Sequence, residues 1–96
     1  MNLLITYDIS TETESGKKRL RTVAQTCKDY GQRVQFSVFE FEIDKCQFEI
    51  LKNRLMGIIE PDVDSIRIYR LHGNREEIVE VHGIDKYEDY GGTLMF

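Results

Sequence analysis

Asp8 closes the first apolar run of the chain, Leu3-Leu4-Ile5-Thr6-Tyr7-Asp8, and the cations Lys17, Lys18, Arg19 and Arg21 follow soon after. A carboxylate at a strand tip beside a basic helix is what metal-assisted chemistry on a phosphodiester needs. One Asp supplies too few oxygens for a divalent cation by itself. Mg²⁺, however, takes one or two carboxylates and completes its shell with water and substrate phosphate. Two Asp8 side chains meeting across a twofold axis would meet that need, and a small domain gains stability from such a dimer. The competing role for Asp8 is structural, because a carboxylate at a strand end often caps the next turn or helix.

The cations have two readings as well. Lys17, Arg21 and Lys28 form the flank of an amphipathic helix, where they are either solvated or arranged to steer phosphate toward Asp8. Arg33 joins them if its strand neighbours the first. Glu12 and Glu14 are extra metal ligands or, more simply, a solvated loop. Tyr7 and Phe39 have the ring faces to stack on bases, although strand aromatics usually belong to a core. Ser10 and Ser37 have no partnered His or Asp in sequence, so water is the expected nucleophile. His72 and His82 read as structural. The stretch between Asp8 and Lys17 has no phosphate-loop pattern, which argues against nucleoside triphosphate binding.

These residues need elements to hold them. Residues 3–7 read as a buried strand, with Leu3, Ile5 and Tyr7 on one face and Leu4, Thr6 and Asp8 on the other. After a loop over residues 10–16, Leu20, Val23, Ala24 and Cys27 recur at helical spacing, and Gly31 offers a left-handed stop. Residues 33–43 are β-prone but long for one strand, which predicts a break near Phe36-Ser37. Asp44 and Gln47 form a capping box for a second helix, whose apolar stripe is Phe48, Leu51, Leu55 and Ile58. Residues 65–71 read as a strand and residues 77–82 as a further one, followed by a tail ending in Thr93-Leu94-Met95-Phe96. The order βαββαβ plus one strand predicts an α+β, ferredoxin-like domain over residues 1–82 and a tail over 83–96 that packs on a partner. That fold hosts regulators, RNA binders and enzymes, and so decides no function by itself.

Composition narrows the classes. With 96 residues, 41% hydrophobic and 31% charged, the chain is sized for one ordinary domain. It has no span long enough to cross a membrane and begins without a signal-peptide pattern, so it reads as cytoplasmic with no membrane partner. Cys27 and Cys46 show no metal-site spacing. A net charge of -4 argues against a generic nucleic-acid binder. The charge is uneven, however. Residues 1–33 carry six Lys or Arg against four Asp or Glu, and residues 34–96 carry seven against thirteen. Any phosphate-binding face is therefore local.

Two segments together, Tyr7-Asp8-Ile9-Ser10 and Gly31-Gln32-Arg33-Val34-Gln35-Phe36-Ser37-Val38-Phe39-Glu40, resemble the small CRISPR-associated adaptation protein family, second in the Cas naming series. The likeness extends along essentially the whole chain, including Gly16-Lys17-Lys18-Arg19-Leu20-Arg21 and the strand after Asp64. The resemblance implies a homodimeric, Mg²⁺-dependent endonuclease acting on double-stranded DNA or single-stranded RNA in spacer acquisition, with Mn²⁺ as a substitute ion. It makes Asp8 the metal ligand and catalytic residue. Tyr7, Ser10, Arg19, Arg33, Ser37 and Phe39 become motif positions around it, with Lys17 and Arg21 beside them as candidate nucleic-acid contacts. It also implies a CRISPR integrase subunit as partner and offers an alternative role, a non-catalytic dimeric adaptor bridging integrase and protospacer DNA.

Overall fold

The structure, a computed structural model, describes residues 1–73, 75–78 and 80–82. Its elements are β1 (Asn2–Asp8), α1 (Glu14–Tyr30), β2 (Gln32–Gln35), β3 (Val38–Glu42), α2 (Lys45–Ile58), β4 (Ser65–Leu71) and a short α3 (Arg75–Ile78). The strands form one sheet in the order β2-β3-β1-β4, antiparallel at every pairing. This is the expected ferredoxin-like plan. The tail over residues 83–96 lies outside the described residues.

The two long helices pack on one face of the sheet. Period-two alternation turns Leu3, Ile5 and Tyr7 of β1 and Phe39 and Phe41 of β3 toward Val23 and Cys27 of α1 and Phe48, Leu51 and Leu55 of α2. Complete burial of each such side chain contributes roughly 1.5–3 kcal/mol, so this one layer supplies the bulk of the folding free energy. The opposite face presents Leu4, Thr6 and Asp8 of β1 beside Ser65, Arg67 and Tyr69 of β4.

Local signals set the helix ends. Thr13 caps α1 by accepting from the Gly16 N–H at 3.0 Å, and the Asp44–Gln47 capping box starts α2. The break in the long β-prone run falls at Phe36-Ser37, a tight turn between β2 and β3. Two expectations fail. Gly31 is extended (φ -149°, ψ -161°) and not left-handed. It is small for a different reason, since a Cβ there would overlap the Phe41 ring and the Glu40 carbonyl. The strand expected over residues 77–82 does not form among the described residues, where a helical turn at Arg75–Ile78 takes its start. The Arg-Glu-Glu-Ile run is rich in helix formers, which favours the turn over a strand.

Candidate active site

Asp8 is the last residue of β1, faces away from the helices and is exposed. Its carboxylate takes no hydrogen bond from the described residues. The capping role belongs instead to Asp64. That carboxylate accepts from the backbone N–H of Ser10 at 2.9 Å and of Glu60 at 2.9 Å, and from Arg19 Nε at 2.8 Å. The Asp64 side chain is 0% exposed and that of Arg19 is 13% exposed. The Arg19 guanidinium holds the Asp64 carboxyl below the usual carboxylate range; burial opposes this, and the two N–H donors reinforce it. One buried carboxylate thus ties the chain just after Asp8 to α1 and to the turn before β4.

Asp8 is consequently held from both sides. Ser10, two residues on, is anchored to Asp64, while Asp8 itself pairs with Ser65, the residue after Asp64. The carboxylate projects over a shallow depression of about 310 Å³ lined by Thr6, Tyr7, Asp8, Ser65, Arg67 and Tyr69. The Tyr69 hydroxyl favours the charged form of Arg67, two residues before it on the same face of β4.

The other expected site residues divide into two groups. Tyr7 and Phe39 are buried with ring centroids 6.1 Å apart, so they build the core under the site and offer no face to a base. Burial raises the Tyr7 phenol pKa, and a hydrogen bond to Arg33 partly offsets the rise. Arg19 pairs with Asp64 and tethers α1 to the turn before β4. Lys17 is exposed and pairs with Glu14 at 3.2 Å. Arg21 is exposed on α1, which covers the sheet face opposite Asp8.

Arg33 does not join the α1 cations through a shared strand neighbour, because β3 lies between β2 and β1. Its register with Phe39 puts it on the helix-packed side, 5.2 Å above the Phe39 ring. Ser37 serves the turn, its carbonyl accepting from the Tyr7 N–H at 3.1 Å. That bond, and a long one from Tyr7 Oη to the Phe36 carbonyl at 3.4 Å, hold the β2–β3 turn against the end of β1. At its tip Phe36 is 91% exposed.

Sequence reasoning missed three residues here. Asp64 carries no local signal, since its partners lie up to 54 positions away. Arg67 and Tyr69 follow from the period-two pattern once β4 is known to lie beside β1. Among the described residues no three His, Cys, Asp or Glu side chains converge to hold a metal. Among the residues lining the depression, Asp8 is the carboxylate. Among the described residues, no helix is long and apolar enough to cross a membrane.

The family model of CRISPR associated protein Cas2 matches residues 1–78. The chain belongs to the Cas2 family. It is 53% identical over 95 residues to CRISPR-associated endoribonuclease Cas2 1 of Moorella thermoacetica, covering 99% of each protein. It is 47% identical over 96 residues to CRISPR-associated endonuclease Cas2 of Halalkalibacterium halodurans, covering 100% of each. The crystal structure of Streptococcus pyogenes Cas2 at pH 6.5 superposes with a TM-score of 0.76 at 52% identity, covering 86% of this chain and 100% of that one. Within the Cas2 family one of these relatives is named an endoribonuclease and the other, without a stated nucleic acid, an endonuclease.

Proposed function

We propose that this Cas2-family chain is a homodimeric, Mg²⁺-dependent endonuclease in which Asp8 from each subunit holds the ion. The observation that carries the reading is the division of labour between two carboxylates: Asp64 takes the structural hydrogen bonds, and Asp8, on a strand end held by Asp64, stays exposed and unengaged among the described residues. Dimerisation accounts for the single carboxylate lining the depression and for the half-exposed Leu4 and Val38 on the open sheet face.

When bound, Mg²⁺ supplies positive charge to the phosphate and lowers the pKa of water. The residues of the chain fix the carboxylate and the phosphate in place. In the hydrolysis a water oxygen bonds to phosphorus, one P–O ester bond breaks, and the proton lost by water is matched by one taken up at the leaving oxygen. Action in spacer acquisition, with a CRISPR integrase subunit as partner, rests on membership of the family.

The deciding experiment presents single-stranded RNA, single-stranded DNA and duplex DNA to the wild type and to Asp8→Ala, each with and without Mg²⁺. Cleavage that needs both Mg²⁺ and Asp8 is the expected result. A wild type that binds duplex DNA but cuts nothing would favour the adaptor role, and cleavage retained in Asp8→Ala would overturn the assignment of Asp8.

A further inference from the structure

We propose that Arg67 is a phosphate-binding residue of the Asp8 site, its guanidinium contacting a non-bridging oxygen of the phosphate on which the site acts. This rests on the reading that Asp8 works on nucleic acid. Strand register brings the two residues together. Antiparallel pairing sets Asp8 opposite Ser65, Thr6 opposite Arg67 and Leu4 opposite Tyr69, so all six share the open face of the sheet. Asp8 and Arg67 are diagonal neighbours on that face, a separation of roughly 7–8 Å that long side chains span. Both line the same depression, and Arg67 is the cation in that lining.

A carboxylate site for a phosphodiester has an electrostatic problem, because Asp8 alone repels the anion it must receive. A cation close by, yet not neutralised by the carboxylate, resolves it. Of the cations expected to do this, three are engaged elsewhere and Arg21 lies on α1, across the sheet from Asp8. Arg19 is closed onto Asp64, Lys17 lies against Glu14, and Arg33 sits over Phe39 on the helix side. Arg67 is exposed, has no carboxylate partner among the described residues, and shares the lining of the depression with Tyr69. Its planar fork suits two phosphate oxygens at once. The span between Asp8 and Arg67 leaves room for a phosphate with its ion.

The test compares wild type, Arg67→Ala, Arg67→Lys and Tyr69→Phe on a fluorescein-labelled single-stranded RNA with Mg²⁺. Binding of the same RNA is measured across salt concentrations in an Asp8→Ala background. Arg67→Ala should lower kcat/KM at least tenfold and shift the Mg²⁺ concentration for half-activation less than twofold, because the ion is held by Asp8. Arg67→Lys should recover part of the loss, and Tyr69→Phe should fall between. In the binding arm, removing Arg67 should reduce the salt slope by about 0.7, the amount that one neutralised phosphate on a single strand contributes. Unchanged kcat/KM or an unchanged salt slope in a folded Arg67→Ala would overturn the proposal. If the wild type binds RNA but cuts neither it, single-stranded DNA nor duplex DNA, the nuclease reading fails while the salt slope still decides Arg67.

Discussion

Arg19 Nε donates to Asp64 Oδ2 at 2.8 Å across 45 positions of sequence, with the carboxylate fully buried and the guanidinium mostly so. Breaking a buried pair by removing one partner is costly, because the other charge stays behind uncompensated. Asp64→Asn should therefore destabilise the fold by about 3 kcal/mol, read as a lower urea midpoint or as a Tm drop of roughly 12 °C or more. A loss under about 1 kcal/mol would show that the pair is dispensable.

The same carboxylate gives the fold a pH dependence of known sign. Its folded-state pKa lies below the ordinary value of 3.8, so its contribution is complete above that value and disappears as pH falls through the depressed one. Wild-type stability should decline on acidification below about pH 4, and Asp64→Asn should show a shallower decline. Parallel urea-midpoint curves for the two proteins would remove Asp64 as the source.

Asp8 should behave in the opposite way. With no hydrogen bond to lose among the described residues, Asp8→Ala should leave stability within about 0.5 kcal/mol and lower Mg²⁺-dependent cleavage at least about 100-fold. Chelation of the wild type should reproduce the loss without changing its Tm. A large fall in the Tm of Asp8→Ala would return this residue to a structural role.

The two phenylalanines flanking Ser37 and Val38 should also separate. Phe39 is fully buried, and Phe39→Ala should cost about 3–5 kcal/mol. Phe36 projects into solvent from a turn pinned to the end of β1, so Phe36→Ala should leave Tm nearly unchanged and weaken single-stranded oligonucleotide binding by roughly 1–3 kcal/mol if a base stacks there. Fluorescence anisotropy with an uncut oligonucleotide reads the effect, and equal affinity for wild type and Phe36→Ala would remove Phe36 from the binding surface.

The cysteines offer an independent check on the core. Burial pushes the Cys27 thiol up to about 12, whereas Cys46 is exposed at the start of α2. An aromatic disulfide reagent at about pH 8 should label one thiol per folded chain quickly and the second only on unfolding. Two fast thiols would contradict the packing of α1 on the sheet.

The fold was legible where physics is local. Alternation in residues 3–8 separated the buried face from Asp8, the Asp44–Gln47 spacing marked α2, and excess length marked the turn at Phe36-Ser37. What stayed hidden depends on tertiary placement. Nothing beside Asp64 foretells Ser10 and Arg19, and the basic look of residues 17–21 hid the fact that α1 lies across the sheet from Asp8. Arg67 was readable as the polar half of an alternating strand, but its meaning came only from lying beside β1. Gly31 misled because chain close-packing and left-handed backbone both select glycine.

Gly16 leaves no room for a side chain against the Ser10 carbonyl, so the two ends of the segment between β1 and α1 touch. A segment whose ends meet is a cassette: its contents can be exchanged while its footings stay put. Thr11 and Glu12 can thus be replaced, or the segment lengthened outward, at little conformational expense to Asp8. Relatives built on this plan are free to diverge in charge at this rim while keeping one geometry at the carboxylate, and grafting the loop of one onto another is a way to exchange preferences without rebuilding the sheet.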